Sequence, residues 1–244
     1  YDREECYNEA KYDTVTSDFS LGELSEWVFE SVEEIEELPL LLSSYLTIVK
    51  KYHTFRSEDS RHSIIQVYLI CALECLGTCK MRLDENSSMS CVLQKAYEVV
   101  RYHGYADFVL GHSIFNKRFP DDAMLTIVEA KKEKDQNDAV AQLVAEMATS
   151  RSNRLLKGKK GVSFGILTNG EDWQFYKLDE QKEIFESNCL TATLDQRFNL
   201  KKVQAVLSAI LYVLREAMST TSLDFGTSQE LDIDEEFASI SINE

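Results

Sequence analysis

The chain has 244 residues, of which 44% are hydrophobic and 28% charged, so it is long enough and apolar enough to bury a core. No apolar run approaches the roughly 20 residues that a membrane-spanning helix needs, so we expect no membrane partner. The formal net charge of −16 argues against binding to polyanions through overall charge alone.

The negative charge is concentrated at the two ends of the chain. Residues 1–45 contain 13 acidic and two basic residues, and residues 219–244 contain seven acidic and no basic ones. These segments carry −11 and −7, which leaves +2 for residues 46–218. We therefore predict an acidic helical N-terminal appendage (1–54), a main domain (55–218) and a mobile acidic tail (219–244).

Hydrophobic spacing predicts helices in the first third of the chain. Ser20–Leu38 has a period near 3.6, and Ser20 with Glu23 forms a capping box. Leu40–Tyr52 follows Pro39 and predicts a second helix, and Ser57–Leu76 predicts a third. Residues 1–18 are polar and predict no regular element.

The remainder alternates between strand-like and helix-like segments, which predicts an α/β fold with a mixed sheet flanked by helices. Met81–Ser90 predicts a polar loop, and His103-Gly104 predicts a turn. The predicted strands are Leu93–Arg101, Tyr105–Leu110, Leu125–Lys131, Val162–Thr168, Trp173–Leu178 and Ile184–Cys189, and the predicted helices are Ala139–Ser150 and Asn199–Met218.

Three charged residues lie in two of these predicted strands. Asp107 lies in the second, and Glu129 and Lys131 end the third with Ala130 between them. Because side chains at i and i+2 of a strand share a face, Glu129 and Lys131 project together while Ala130 faces the packing. An Asp from a neighbouring strand completes a pair of carboxylates beside an ammonium group.

Such a group suits metal-dependent hydrolysis of phosphodiesters. Mg²⁺ prefers oxygen ligands and is usually held by one or two carboxylates, with water and phosphate oxygens completing its shell. A lysine beside it orients the attacking water or stabilises charge in the transition state. The alternative is an ordinary solvated strand end.

Three segments resemble the PD-(D/E)xK superfamily of restriction-endonuclease-like nucleases: Gly104–Leu110, Ile127–Lys132 and Gly165–Leu178. The similarity is to the N-terminal nuclease domain of type I restriction-enzyme R subunits and to crinkler-type modules of fungi and oomycetes. It covers roughly residues 55 to 215, and Ala106 stands where the superfamily name has Pro.

The resemblance implies an αβββαβ core and a Mg²⁺- or Mn²⁺-dependent nuclease, with DNA favoured over RNA as substrate. Asp107 and Glu129 would bind the metal, with the Ala130 carbonyl as a further ligand. Lys131 would orient the attacking water or stabilise the transition state. Glu58, from the first core helix, would complete the metal shell, although plain charge stabilisation of a helix N-terminus also explains it. Gln142 would assist, and Glu146 stands where related sequences have Tyr.

Residues 147–170 contain five basic residues and no acidic one. A local basic patch is what phosphate binding requires, whatever the charge of the whole chain. The alternative is a solvated helix end and loop. The predicted nucleic-acid-binding residues are Arg151, Arg154, Lys157, Lys159 and Lys160.

The cysteines indicate a reducing compartment. Cys71, Cys75 and Cys79 share one helical face, a spacing unsuited to a disulfide, and we interpret them as small core residues. We therefore expect the cytoplasm or nucleus, and the crinkler resemblance would add delivery to a host cell.

A second hypothesis is a nuclease-fold module that no longer cuts and acts as an interaction or effector protein. The acidic ends favour it, because they could bind a basic protein partner.

The acidic tail generates a prediction of its own, since a tail that mimics DNA would compete with nucleic acid within the same chain. Deleting residues 219–244 should raise affinity for a labelled oligonucleotide, measured by fluorescence anisotropy. Unchanged binding would rule out this inhibition.

Overall fold

The computed structural model describes residues 1–52, 58–77, 81–112, 123–131, 136–194 and 198–221. Within these ranges, nine strands form a single mixed sheet. The strands are β1 (Arg3–Cys6), β2 (Leu24–Glu26), β3 (Met81–Gln94), β4 (Val99–His112), β5 (Met124–Ala130), β6 (Ser163–Thr168), β7 (Asp172–Leu178), β8 (Ile184–Glu186) and β9 (Leu190–Thr191).

The order across the sheet is β1-β4-β5-β6-β7-β8-β2, with β3 beside β4 and β9 beside β7. The central strands β5 and β6 are parallel, and β4 and β7 run antiparallel to them on either side. This arrangement confirms the prediction of an α/β fold with a mixed sheet.

Helices cover both faces of the sheet. One hydrophobic cluster joins α2, α3 and α5 to one face, and a second joins α1 and α4 to the other. Strand β5 is buried at every position because it has helices on both sides. Within the described ranges, every helix is too short or too polar to cross a membrane. The helices are α1 (Tyr12–Phe19), α2 (Leu40–Tyr52), α3 (Glu58–Leu76), α4 (Gln136–Leu156) and α5 (Leu200–Thr221).

The N-terminal segment is part of the sheet and not the separate helical appendage that we predicted for residues 1–54. β1 pairs with β4, and β2 pairs with β8 at the opposite edge. The predicted helix Ser20–Leu38 is wrong: Ser20 ends α1 in the left-handed conformation (φ 53°), and Trp27 N–H donates to the Glu186 carbonyl (2.7 Å). Pairing with β8 therefore overrides the helical spacing.

A long antiparallel hairpin of β3 and β4 replaces the loop predicted at Met81–Ser90. Its turn lies between Gln94 and Val99, so the predicted strand Leu93–Arg101 and the turn at His103-Gly104 are also wrong. The buried residues Met89 and Cys91 alternate with Ser88 and Ser90, so few large apolar residues mark this strand in the sequence. Gly104 lies inside β4, where a Cβ atom would approach the Tyr7 ring to 2.6 Å.

The other predicted elements are confirmed with shifted ends. Helices α2 to α5 and strands β5 to β8 lie where the sequence predicts them. Cys71 is buried but Cys75 is exposed, so the core interpretation is wrong for the second, and Cys79 lies outside the described residues. Helix α5 takes up the start of the predicted tail, and residues 222–244 lie outside the described ranges.

The fold predicts unequal costs for two glycine substitutions. A Cβ atom at Gly111 would lie 2.2 Å from the Ala123 carbonyl oxygen, and this backbone cannot move aside. We expect Gly111→Ala to lower the free energy of unfolding by about 3 kcal/mol in urea denaturation. Gly165→Ala is the control: its Cβ meets the flexible Met147 side chain (2.5 Å), and we expect a loss of about 1 kcal/mol. Equal losses would contradict this packing.

Candidate active site

At the end of β5, the acidic side chain of Glu129 lies beside the basic side chain of Lys131. Glu129 is 1% exposed, and the Nζ atom of Lys131 lies 2.9 Å from its Oε1 atom. Ala130 packs into the hydrophobic cluster on the opposite face. The backbone N–H of Lys131 donates to the Thr168 carbonyl on β6 (2.9 Å), so this end of the strand is held on both sides.

Asp107 reaches the same point from β4. Phe108 pairs with Val128, which brings Asp107 opposite Glu129. The Oδ2 atom of Asp107 accepts a hydrogen bond from the Ala130 N–H (2.8 Å), and this bond orients the carboxylate. The structure therefore brings Asp107, Glu129 and Lys131 together at one end of the β4–β5 pair. It shows no contact that assigns a role to the Ala130 carbonyl.

Helix α4 adds a third carboxyl group to the cluster. Glu146 is fully buried, and its Oε1 atom accepts a hydrogen bond from Gln142 Nε2 (3.0 Å). Its Oε2 atom is buried without a hydrogen-bond partner among the described residues. Gln142, which the sequence predicted to assist catalysis, thus lies in the cluster and contacts it through Glu146.

Burial raises the pKa of Glu146 well above its ordinary value of 4.5, and the nearby charges of Glu129 and Asp107 raise it further. The hydrogen bond from Gln142 and the charge of Lys131 act in the opposite direction. Glu146 therefore holds a proton more strongly than an ordinary glutamic acid does. A cation bound between the carboxylates would offset the contribution of the Glu129 and Asp107 charges to this pKa shift but not the contribution of burial.

His62 belongs to the site although no sequence motif indicated it. Its Nε2 atom lies 4.0 Å from Asp107 Oδ2, and its ring packs on Phe108 with centroids 5.2 Å apart. Glu58, the predicted ligand, begins α3 one helical turn earlier, but its side chain lies outside the described residues. No local sequence pattern could have indicated His62, because its place in the site depends on the packing of α3 against β4.

The two predicted phosphate-binding arginines have structural roles instead. Arg151 donates from Nε and Nη2 to the carbonyls of Asp179 (3.1 Å) and Glu180 (2.9 Å). Arg154 is fully buried and donates from Nε to the Lys160 carbonyl (3.0 Å). We therefore correct the prediction for both: their guanidinium groups are used to hold the turns that pack against the end of α4.

The remaining basic residues are remote from the carboxyl cluster. Lys157 and Lys160 are exposed and Lys159 is half-buried, just beyond the end of α4. At about 1.5 Å per residue, the ten residues from Glu146 to the end of α4 span roughly 15 Å. These lysines can contact phosphates only of a substrate that extends across the molecule.

The donor set fits a hard divalent cation. Asp107 and Glu129 offer carboxylate oxygens at the end of the β4–β5 pair. Among the described residues, no group of three or more acidic, histidine or cysteine side chains could by itself hold a metal ion. Mg²⁺ needs only one or two carboxylates with water and phosphate oxygens, so this open set suits it.

No protein-family model matches the chain, and no curated protein matches it. A functional assignment therefore depends on the geometry of the site.

Glu146 generates a prediction about pH. Because its pKa is higher in the folded than in the unfolded chain, the folded state binds the extra proton, and stability falls as pH rises from about 4.5. Glu146→Gln keeps the volume and the contact with Gln142 but removes this titration. The gain in Tm of the variant over the wild type should be larger at pH 8 than at pH 5. A gain independent of pH would contradict a raised pKa of Glu146.

Proposed function

We propose that this protein is a Mg²⁺- or Mn²⁺-dependent nuclease that hydrolyses phosphodiester bonds of nucleic acid, with a restriction-endonuclease-like core. The order α3-β3-β4-β5-α4-β6 supports the fold proposal, because it follows the αβββαβ order of that superfamily. The observation that carries the function is the meeting of Asp107, Glu129 and Lys131 above the buried Glu146.

Asp107 and Glu129 are the residues that would hold the cation, and Glu58 remains a further candidate ligand. Asp107 is oriented by the Ala130 N–H, and Glu129 is fixed by its burial and by Lys131. When bound, the cation would polarise the phosphoryl oxygen and lower the pKa of a coordinated water.

Lys131 is the group that orients the attacking water. Its Nζ atom sits 2.9 Å from Glu129 Oε1, and a quarter of its side chain is exposed, so it faces both the carboxylate and an incoming substrate. An ammonium group at this position donates hydrogen bonds to the attacking water and stabilises the negative charge that develops on phosphate.

Glu146 and Gln142 lie on α4, buried beneath Asp107, Glu129 and Lys131, and support the chemistry from there. Gln142 donates a hydrogen bond to Oε1 of Glu146, and Oε2 is buried without a hydrogen-bond partner among the described residues. In this position Glu146 can accept a hydrogen bond from a water in the site or hold the proton that such a water releases.

The proposal predicts a large effect of one lysine. Lys131→Ala should lower the rate of Mg²⁺-dependent cleavage by about 100-fold or more, because removing one preorganised donor of the transition state typically costs this much. The measurement is cleavage of labelled DNA and RNA oligonucleotides with Mg²⁺ or Mn²⁺ on denaturing gels.

Lys11→Ala is the matched control, since Lys11 is exposed and belongs neither to the carboxyl cluster nor to the predicted basic patch. It should cut at a rate within a few-fold of the wild type. If the wild type cuts nothing under these conditions and binds neither ion, the nuclease proposal fails and the non-cutting interaction module takes its place.

A further inference from the structure

Strand β3 contains a residue in the left-handed conformation, and this residue lies opposite Asp107. Asn86 has a φ of 50°, although the strand continues on both sides of it. Residues other than glycine rarely adopt a positive φ, so Asn86 marks a local distortion. The ladder between β3 and β4 is interrupted at the same point. The pairs that flank the interruption are Glu85 with Phe108 and Ser87 with Ala106.

Both strands of the hairpin change faces at this interruption. Side chains two residues apart in a regular strand share a face. Ala106 nevertheless packs in the cluster that contains α1 and α4, whereas Phe108 packs in the cluster that contains α2, α3 and α5. On β3, Leu83 and Met89 likewise pack in opposite clusters, although an even number of positions separates them. The alternation of both strands therefore shifts where Asn86 meets β4.

The shift determines what the carboxylate of Asp107 can reach. Regular continuation of the pairing between β4 and β5 would set Ala106 beside Ala130. Instead, the N–H of Ala130 donates to Asp107 Oδ2 (2.8 Å). The Nε2 atom of His62, on α3, lies 4.0 Å from the same oxygen, and the charge of Asp107 also acts on Glu146 of α4. Asp107 thus interacts with groups that approach from both faces of the sheet.

The distortion at Asn86 is held by contacts of its neighbours. Ser87 is 1% exposed, and its Oγ atom donates a hydrogen bond to Asp84 Oδ2 (2.5 Å). This bond encloses Asn86 within a segment of four residues. Asparagine tolerates the left-handed conformation better than most residues, whereas the β-branched residues that strands favour do not. The residue type at this position therefore agrees with the backbone conformation.

Protection of a strand edge is the alternative role of such a distortion. Among the described residues, β3 pairs only with β4, so its outer edge is open. A distorted edge hinders pairing with a second chain. A distortion with this role alone could lie anywhere along the 14 residues of β3. Its coincidence with the position opposite Asp107 favours a role in the candidate site.

We infer that Asn86 is a positioning residue of the candidate active site. Its left-handed conformation turns the hairpin so that Asp107 presents its carboxylate at the end of the β4–β5 pair, where the cation would bind. This inference rests on the proposed function for the role of Asp107 as a metal ligand. The orientation of Asp107 can be measured without any metal.

The first measurement is calorimetric titration of Mn²⁺ into matched variants. Asn86→Val should weaken Mn²⁺ binding about ten-fold or more, because a β-branched residue disfavours the left-handed conformation. Asn86→Gly permits this conformation and should retain the affinity. The control is Ser20→Val, since Ser20 is also exposed and left-handed (φ 53°) but lies at the end of α1. It should lower the Tm as Asn86→Val does and bind Mn²⁺ as the wild type does.

The second measurement is hydrogen exchange of the Ala130 amide, followed by NMR in EDTA. This N–H donates to the Asp107 carboxylate, so Asp107→Ala gives the exchange rate of the amide without its acceptor. Asn86→Val should approach that rate, whereas Asn86→Gly and Ser20→Val should keep the wild-type protection. Wild-type protection of Ala130 in Asn86→Val would overturn the inference, and so would an equal loss of Mn²⁺ affinity in Ser20→Val.

The two proposals fail in different ways. If Asn86→Val exposes the Ala130 amide but the wild type neither binds Mn²⁺ nor cuts, Asn86 does orient Asp107 and the nuclease is wrong. If the wild type binds Mn²⁺ and cuts, and Asn86→Val matches it in Mn²⁺ affinity and in amide protection, the nuclease stands and the positioning role of Asn86 is wrong.

Discussion

The site depends on the burial of two carboxyl groups beside one ammonium group. Glu129 and Glu146 are both excluded from water, and Lys131 contacts the first of them. Burial and like charges at close range are unfavourable for a carboxylate, so they raise the pKa of the second carboxyl, Glu146. A protein keeps such an arrangement when function requires it, because apolar side chains of similar size would pack there without this cost.

The sheet determines why these groups meet. Antiparallel pairing of β4 with β5 brings Asp107 opposite Glu129, and parallel pairing of β5 with β6 holds the backbone at Lys131. Helix α4 then packs Gln142 and Glu146 against the same end of β5. The cluster is thus supplied by three elements that are rigid in the core, which suits a site whose groups must be held in fixed positions.

Part of this arrangement could be predicted from the sequence. The alternation around Glu129 and Lys131 was enough to predict their common face, and strong apolar runs predicted β5, β6 and the long helices. His62 could not be recognised, because its role depends on how α3 packs against β4 and no local pattern records that. The hairpin of β3 was missed because Ser88 and Ser90 make its sequence polar on one face of the strand. Arg151 and Arg154 illustrate the reverse error: basic composition suggested phosphate binding, but both arginines lie close to the helical phase of the buried Met147, which directs them into the fold.

The most direct test of the central claim is calorimetric titration of Mn²⁺ into the wild type and into Asp107→Asn at neutral pH. Asp107 is partly exposed, so the amide variant should fold and retain the shape of the site. We predict a single binding event in the wild type that disappears in the variant. No binding by the wild type, or equal binding by both proteins, would contradict the assignment of the carboxyl cluster as a metal-dependent site.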